Sequence, residues 1–276
     1  MLPLSFQKKY LTATKCNNSL LCIGLDTDVN KLPPSVQSKD DPVLYFNKSI
    51  IDATSDLVCC YKPNYAFYAV LGNRGWSTLR ATIEHIPKDI PVIVDAKVGD
   101  IGNTSSLYAK MFFDELKADA LTVTPYMGED CVLPFLDYEN CTTFIVCLTS
   151  NKGANDFEKS VSDGAPLFER VINKALEWSI NKNCGLVIGA TQPDYFSKVR
   201  SLAPDMTLLI PGVGAQGGSP KEVVEYGQDT QGGGILVNSS RGIIFASPDE
   251  DYAQAARSAA KNLRDELNKY RNYPPS

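Results

Sequence analysis

The sequence has a single histidine among its 276 residues, and it has no Cys-x-x-Cys pair or Cys/His cluster. One histidine disfavours catalysis by a Ser-His pair, and the missing Cys/His spacing disfavours a zinc site. The chain contains eight cysteines, but most lie inside apolar runs such as LLCIGLD, LVCCYKP and FIVCLTS. We therefore expect buried free thiols rather than disulfides, which favours a reducing, cytoplasmic location.

Long runs of one chemical character are also missing. No stretch approaches 18 continuous apolar residues, and the N-terminus, MLPLSFQKKYLTATKC, lacks the charged and apolar regions of a signal peptide. No run of Lys or Arg exceeds two residues, and the formal net charge is −5. We expect no membrane span and no nucleic-acid partner. The net charge does not exclude a small anionic ligand, because the charges in one local pocket determine whether such a ligand binds.

Eight short apolar runs are present, and each ends in polar or glycine-rich residues. They are continuous rather than alternating, as in parallel strands covered on both faces. The runs cover residues 20–26, 57–64, 91–97, 119–125, 142–150, 185–191, 207–214 and 234–240. With helix-like segments between most of them and no linker, they predict an α/β fold, a single (β/α)8 TIM barrel. An open, doubly wound sheet is the alternative.

The barrel interpretation sets the domain boundaries. We expect residues 1–276 to form one domain, with a barrel core at about 20–242 and a C-terminal helix at about 248–272. Acidic residues in the first turn of that helix suit the helix dipole. Thr104 or Ser105 is placed to cap the helix after the third strand.

A charge cluster lies in VIVDAKVGDIGNT, residues 92–104, at the end of the third strand. Asp95 and Lys97 are two residues apart, so regular strand geometry puts their side chains on one face. Asp100 follows in the loop, and Lys62 ends the neighbouring second strand. A lysine flanked by carboxylates stays an ammonium ion and can give a proton to a carbanion. The alternative is a structural salt-bridge network.

Glycine-rich segments follow the last two strands. PGVGAQGGSP covers residues 211–220, and VNSSRG covers residues 237–242. Loops after strands seven and eight often hold phosphate in these barrels, and glycines let backbone N–H groups approach an anion. The Gln216 side-chain amide can donate further hydrogen bonds, and the Arg241 guanidinium can bind phosphate through two parallel hydrogen bonds. We therefore predict a phosphate site here.

Taken together, these motifs resemble those of the orotidine 5′-phosphate decarboxylases. DAKVGDIGNT has the family's D-x-K-x-x-D-I-G-N-T form, and PGVGAQGG resembles its phosphate loop. The resemblance is to the subgroup with a DAKRGDIGNT-type motif. The segments GLD (24–26), YKPN (61–64) and TSN (149–151) also match in order, so the resemblance runs from about residue 20 to about 242. It implies conversion of orotidine 5′-monophosphate to uridine 5′-monophosphate and CO2, the last step of UMP biosynthesis, without a metal or organic cofactor.

The resemblance also implies roles for four charged residues. Lys97 would protonate C6 of the pyrimidine as CO2 leaves, with Asp95 against the substrate carboxylate. Lys62 and Asp100 would complete the array.

A homodimer is implied as well, in which Asp100, Ile101 and Thr104 reach the partner's site. The remaining implied substrate contacts are Asp26 at the ribose, Ser150 at the pyrimidine, and Pro211, Gln216, Gly217, Gly218 and Arg241 around the phosphate. Val98 departs from the subgroup, which usually has Arg there, and we expect altered packing rather than lost activity.

Three other functions fit parts of the pattern. A metal-dependent phosphosugar decarboxylase or aldolase of the same superfamily shares the D-x-K-x-x-D motif. An aldolase with a Schiff-base lysine needs a lowered lysine pKa, which flanking aspartates oppose. An inactive phosphate-binding protein is the third.

Overall fold

The computed structural model describes residues 4–191, 193–214 and 217–272. Eight parallel strands in this part of the chain form the central sheet, and each coincides with one of the apolar runs. Their bounds are β1 Leu21–Gly24, β2 Cys60–Lys62, β3 Ile93–Val98, β4 Ala120–Val123, β5 Thr142–Leu148, β6 Cys184–Ile188, β7 Thr207–Pro211 and β8 Ile235–Ser239.

The order of the strands closes the sheet into a barrel. Neighbours in sequence are neighbours in space from β3 to β8, and β1 pairs with both β2 and β8. Parallel bridges between Tyr61 and Val92 and between Asn64 and Asp95 join β2 to β3. The predicted (β/α)8 barrel is confirmed, and the open-sheet alternative is wrong because both edges of the sheet are paired.

Helices surround the barrel. Their bounds are α1 Phe6–Cys16, α2 Pro34–Gln37, α3 Pro42–Thr54, α4 Tyr65–Ala69, α5 Asn73–His85, α6 Gly102–Ala109, α7 Glu129–Leu136, α8 Leu167–Trp178, α9 Pro193–Leu202, α10 Pro220–Gly227, α11 Arg241–Ile244 and α12 Tyr252–Asn268. A π-helical turn, Lys110–Glu115, continues α6, and a short hairpin pairs Val161–Ser162 with Ala165–Pro166. None of the described helices is long and apolar enough to cross a membrane.

One buried residue from each strand forms an apolar layer inside the barrel. The layer consists of Cys22, Cys60, Ile93, Ala120, Phe144, Val187, Leu209 and Leu236. Helix α1 packs Phe6 and Tyr10 against it, with Phe6 edge-on to Phe144 at 5.6 Å between ring centroids. Tyr10 Oη donates to the Ile235 carbonyl at 3.0 Å. The N-terminal end of the barrel is therefore filled, and the polar strand ends lie at the other end.

Two predictions about helix starts were wrong. Helix α6 begins at Gly102, so Thr104 and Ser105 lie inside it, and no side chain caps it at Ile101. The Ser105 hydroxyl instead lies 2.5 Å from the Asp100 carbonyl oxygen and 3.1 Å from that of Cys131, so it links the start of α6 to α7. Helix α12 begins only at Tyr252, so its first turn has no acidic residue. The acidic residues precede it in a turn where Ser247 Oγ donates to Asp251 Oδ1.

Candidate active site

A cavity of about 280 Å³ lies at the C-terminal ends of the barrel strands. Five charged residues line it, three cations against two carboxylates: Lys62, Lys97, Arg241, Asp26 and Asp95. This balance suits an anionic ligand. The polar ends of the strands therefore meet at one cavity, which is lined by residues from β2, β3, β7 and β8 and from the loops after β1 and β5.

Asp95 is the centre of the charge array. Its Oδ2 lies 2.6 Å from Lys62 Nζ, and its Oδ1 lies 2.6 Å from Lys97 Nζ. The Lys62 side chain is 3% exposed, whereas that of Lys97 is 45% exposed and open to the cavity. One carboxylate therefore holds two ammonium groups, one sealed in the barrel and one available to a ligand.

Burial and charge act in opposite directions on this pair. Burial by itself disfavours the Lys62 ammonium, but the nearby charges of Asp95 and Asp26 outweigh it and raise the pKa of Lys62 above its ordinary value. Burial also disfavours the Asp95 carboxylate, yet Lys62 and Lys97 lower the pKa of Asp95 well below its ordinary value. Both groups are charged at neutral pH.

Lys97 reaches Asp95 by an irregular backbone. Its φ is +47°, and the register between β3 and β4 shifts between Val94 and Val98. The expected shared face was derived from regular strand alternation, which does not hold here. The two side chains meet because the strand bulges at Lys97. Val98, next along, packs against the hydrophobic core.

Asp26 contributes an unpaired acceptor to the cavity. Among the described residues, no hydrogen-bond donor reaches its buried Oδ1. Buried carboxylate oxygens are normally hydrogen-bonded, so this atom is ready to accept from a ligand hydroxyl.

The loops after β7 and β8 form the opposite wall. Pro211, Ser240 and Arg241 line the cavity there. Gly217 and Gly218 lie beyond the lining; Gly218 N–H donates to the Gly212 carbonyl at 3.2 Å, which closes the base of the loop. A Cβ at Gly218 would lie 2.4 Å from Ala190 Cβ, so only glycine fits. Gln216 lies outside the described residues.

The end of β5 contributes Thr149, Ser150 and Asn151 to the lining. Thr149 is fixed by Glu158, whose Oε2 accepts the Thr149 backbone N–H at 2.6 Å and whose Oε1 accepts its hydroxyl at 2.8 Å. The segment after β5 therefore folds back to hold the strand end that carries Ser150.

The predicted partner-facing residues lie apart from the cavity of their own chain. Asp100, Ile101 and Thr104 are not among the described residues that line it. Asp100 Oδ1 accepts the Ile101 N–H at 2.7 Å, and Ile101 is 60% exposed. The structure of one chain thus brings together Lys62, Asp95 and Lys97, without Asp100.

Sequence reasoning missed several lining or supporting residues. Asn64 and Asn238 line the cavity, and Thr122 contacts both Asp95 and Lys97. Thr122 and Asn238 interrupt apolar runs, and that interruption was the available signal.

A larger cavity of about 760 Å³ lies between α8 and the ends of β4 and β5. Its walls are mainly apolar and include Tyr126, Phe157 and Trp178. Size alone would favour it as a ligand site. We nevertheless assign the active site to the smaller cavity, because the charged Lys62, Asp95 and Lys97 side chains line that cavity and not the larger one.

Comparisons with known proteins agree with this geometry. The model of the Orotidine 5′-phosphate decarboxylase / HUMPS family matches residues 19–257. The orotidine 5′-phosphate decarboxylase of Bacteroides fragilis is 47% identical over 257 residues, covering 92% of this chain and 93% of that protein. The enzyme of the same name from Parabacteroides distasonis is 48% identical over 260 residues, covering 93% of this chain and 92% of its own.

A solved structure gives the same result. The OMP decarboxylase of Leishmania donovani superposes with a TM-score of 0.85 at 37% sequence identity, over 97% of this chain and 98% of that one. The expectation drawn from the motifs is confirmed at the level of family: the chain belongs to the orotidine 5′-phosphate decarboxylase / HUMPS family.

Proposed function

We propose that this protein converts orotidine 5′-monophosphate to uridine 5′-monophosphate and CO2, the last step of UMP biosynthesis. The observation that carries the proposal is the Lys62–Asp95–Lys97 array, in which Lys62 and Asp95 are buried and Lys97 is open to a cavity with a net excess of one cation. The names of the B. fragilis and L. donovani relatives support the same activity.

The chemical step assigned to the array is replacement of a carboxylate by a proton. The bond from C6 to the carboxylate breaks, CO2 leaves, and the electron pair stays on C6. Lys97 Nζ then gives a proton to C6 and is re-protonated from water, to which its half-exposed side chain has access. An ammonium fixed beside the reacting carbon stabilises the developing negative charge without reorganisation.

Lys62 and Asp95 set the electrostatics of this step. Asp95 holds the Lys97 ammonium at 2.6 Å and lies against the substrate carboxylate in the proposed complex. Lys62, raised in pKa and sealed from solvent, balances the Asp95 charge. Lys62 and Asp95 therefore stay charged throughout the reaction, and Lys97 regains its charge when water re-protonates it.

Substrate binding is assigned to the surrounding wall. Arg241 binds the phosphate, with the loop that contains Pro211, Gly217 and Gly218 and with Gln216, and Asp26 accepts from the ribose. Ser150 contacts the pyrimidine. The phosphate does not react, so its binding free energy serves to position the ring. We expect Gln216→Ala mainly to weaken substrate capture, and an unchanged kcat/KM in that variant would exclude the contact.

We further propose that the protein acts as a homodimer in which Asp100, with Ile101 and Thr104, completes the partner's site. The supporting observations are that Asp100 lies apart from its own cavity and that Ile101 and Leu107 are exposed on the same loop and helix. Exposed apolar side chains at such a position are typical of an interface.

The proposal extends to domain structure and location. We propose that residues 1–276 form a single decarboxylase domain that acts in the cytoplasm. The free thiols support a reducing compartment, since all eight cysteines are unpaired and most are buried.

Metal-dependent phosphosugar chemistry is the rival within the same superfamily. It needs carboxylates free to bind a divalent cation, and both oxygens of Asp95 already bind ammonium groups. Among the described residues, no group of three or more His, Cys, Asp or Glu side chains is placed to hold a metal ion.

The test is product analysis with orotidine 5′-monophosphate in excess chelator. We expect one CO2 and one uridine 5′-monophosphate for each substrate consumed, at the same rate with and without chelator. The Lys261→Ala variant, which alters an exposed ion pair on α12, serves as the matched control and should behave as wild type. No turnover by folded wild type would overturn the proposal, and activity abolished by the chelator would favour the rival.

A further inference from the structure

The backbone of Lys97 is held in a conformation that lysine rarely adopts. Its φ of +47° lies in the left-handed region, where a side chain is strained. Such strain persists only where surrounding contacts determine the conformation. The contacts that hold Lys97 therefore decide where its ammonium lies.

Two threonines at the end of β4 hold the Lys97 peptide groups. Thr122 Oγ1 accepts the Lys97 N–H at 2.9 Å, and Thr124 Oγ1 donates to the Lys97 carbonyl at 3.2 Å. The regular β3–β4 ladder is interrupted at this point, because the register shifts between Val94 and Val98. Side-chain hydroxyls thus replace strand hydrogen bonds at the bulge.

Thr122 makes a second contact that Thr124 does not. Its hydroxyl donates to Asp95 Oδ1 at 2.9 Å, the same oxygen that binds Lys97 Nζ. Thr122 is 1% exposed, so water does not substitute for it. The direction of both hydrogen bonds is fixed, since a backbone N–H only donates and a carboxylate only accepts.

We propose that Thr122 is a positioning residue of the decarboxylation: through one hydroxyl it fixes the left-handed Lys97 backbone and the Asp95 carboxylate in a single arrangement. The inference rests on the proposed function, because it deepens the account of the same site. Thr122 touches neither substrate nor the reacting atoms in this account. It acts through Lys97 and Asp95.

The substitution Thr122→Val tests this directly, because it removes the hydroxyl at nearly constant shape. The Lys97 N–H and one Asp95 lone pair then lose their partner inside the barrel. We expect kcat to fall by roughly 10- to 100-fold, the effect of one lost buried hydrogen bond on a barrier. KM should change little, because the phosphate contacts are distant from Thr122. Thr122→Ser keeps the hydroxyl and should restore most of kcat.

Thr143→Val is the matched control. Thr143 is a fully buried threonine on the adjacent strand β5, and its Oγ1 has no hydrogen-bond partner among the described residues. Thr143→Val replaces the same hydroxyl by a methyl group at a similarly buried position, but Thr143 does not contact the charge array. This variant should retain the wild-type kcat.

A second measurement reports on the backbone without needing turnover. Hydrogen exchange of the Lys97 amide, followed by NMR, should be slow in wild type and in Thr143→Val, and faster in Thr122→Val. Wild-type kcat and unchanged Lys97 protection in Thr122→Val would overturn the proposal, and so would an equal kcat loss in Thr122→Ser. If wild type fails to turn over orotidine 5′-monophosphate, the proposed function fails. The amide exchange then still decides whether Thr122 holds Lys97.

Discussion

Lys62 and Asp95 face each other across β2 and β3, with 2.6 Å between Nζ and Oδ2 and almost no solvent exposure. The pair differs from the exposed Lys261–Asp265 pair on α12, which water and salt screen. In the buried pair each charge depends on the other, because few waters can replace a lost partner.

Replacing Lys62 by methionine should therefore affect both stability and activity. We expect the free energy of unfolding to fall by about 1.5–3 kcal/mol, since Lys97 and Thr122 still bind Asp95. Activity should fall further than stability explains, because Asp95 loses the charge that balances it. Urea unfolding and steady-state kinetics measure the two effects. The Lys261→Met control should change stability by less than about 1 kcal/mol, and equal effects in the two variants would refute the distinction.

The pKa shifts predict a flat pH dependence from this pair. The pKa of Asp95 is lowered from 3.8, so its stabilising contribution is present above that value and is lost as pH falls through the lower folded-state pKa. The pKa of Lys62 is raised from 10.5, so its contribution is present below that value and is lost as pH rises through the higher folded-state pKa. The stability difference between wild type and the double variant Lys62→Met/Asp95→Asn, which leaves neither charge of the pair, should thus be constant from about pH 5 to pH 9. A slope in that difference across this range would contradict the assignment.

Mixing two inactive variants tests the shared site. Lys97→Ala and Asp100→Ala homodimers should each be nearly inactive. If Asp100 acts across the interface, a mixed dimer has both defects in one site and one intact site. Random exchange of equal amounts makes half of the dimers mixed, so about a quarter of the wild-type activity should appear. Activity that stays absent after confirmed exchange would count against the shared site.

Phe6→Ala should destabilise the barrel without changing its chemistry. Phe6 is fully buried against the interior layer at the end remote from the site. We expect the free energy of unfolding to fall by about 3–5 kcal/mol, the usual cost of emptying a phenylalanine site, with kcat unchanged. Leu11→Ala on the same helix, at an exposed position, is the control and should have little effect. A kcat loss in Phe6→Ala equal to that of a site variant would contradict the separation.

The strands and most of the site were predictable because they depend on local composition. Continuous apolar runs mark parallel strands, and a charge at the end of such a run is costly unless it is used, which singled out Lys62 and Asp95. The family resemblance rested in addition on the motifs occurring in the same order along the chain as in the family.

What escaped prediction depends on contacts distant in sequence or on irregular backbone. Helix α7 was missed because Pro134 inside it disrupts the helical pattern. Helix α1 was overlooked, although Phe6, Tyr10 and Ala13 are spaced as one helical face. The left-handed backbone of Lys97 could not be predicted from the sequence of its own strand. It depends on a hydrogen bond to Thr122, which is 25 residues away on another strand.

The central claim is that Lys97 supplies the proton from within the array, and the kcat of Lys97→Ala on orotidine 5′-monophosphate tests it most directly. With the unfolding midpoint of the variant checked against wild type, we predict a loss on the order of 10²- to 10⁴-fold or more, the contribution of a positioned general acid. A folded Lys97→Ala protein that retains kcat within about tenfold of wild type would show that the proton comes from another group.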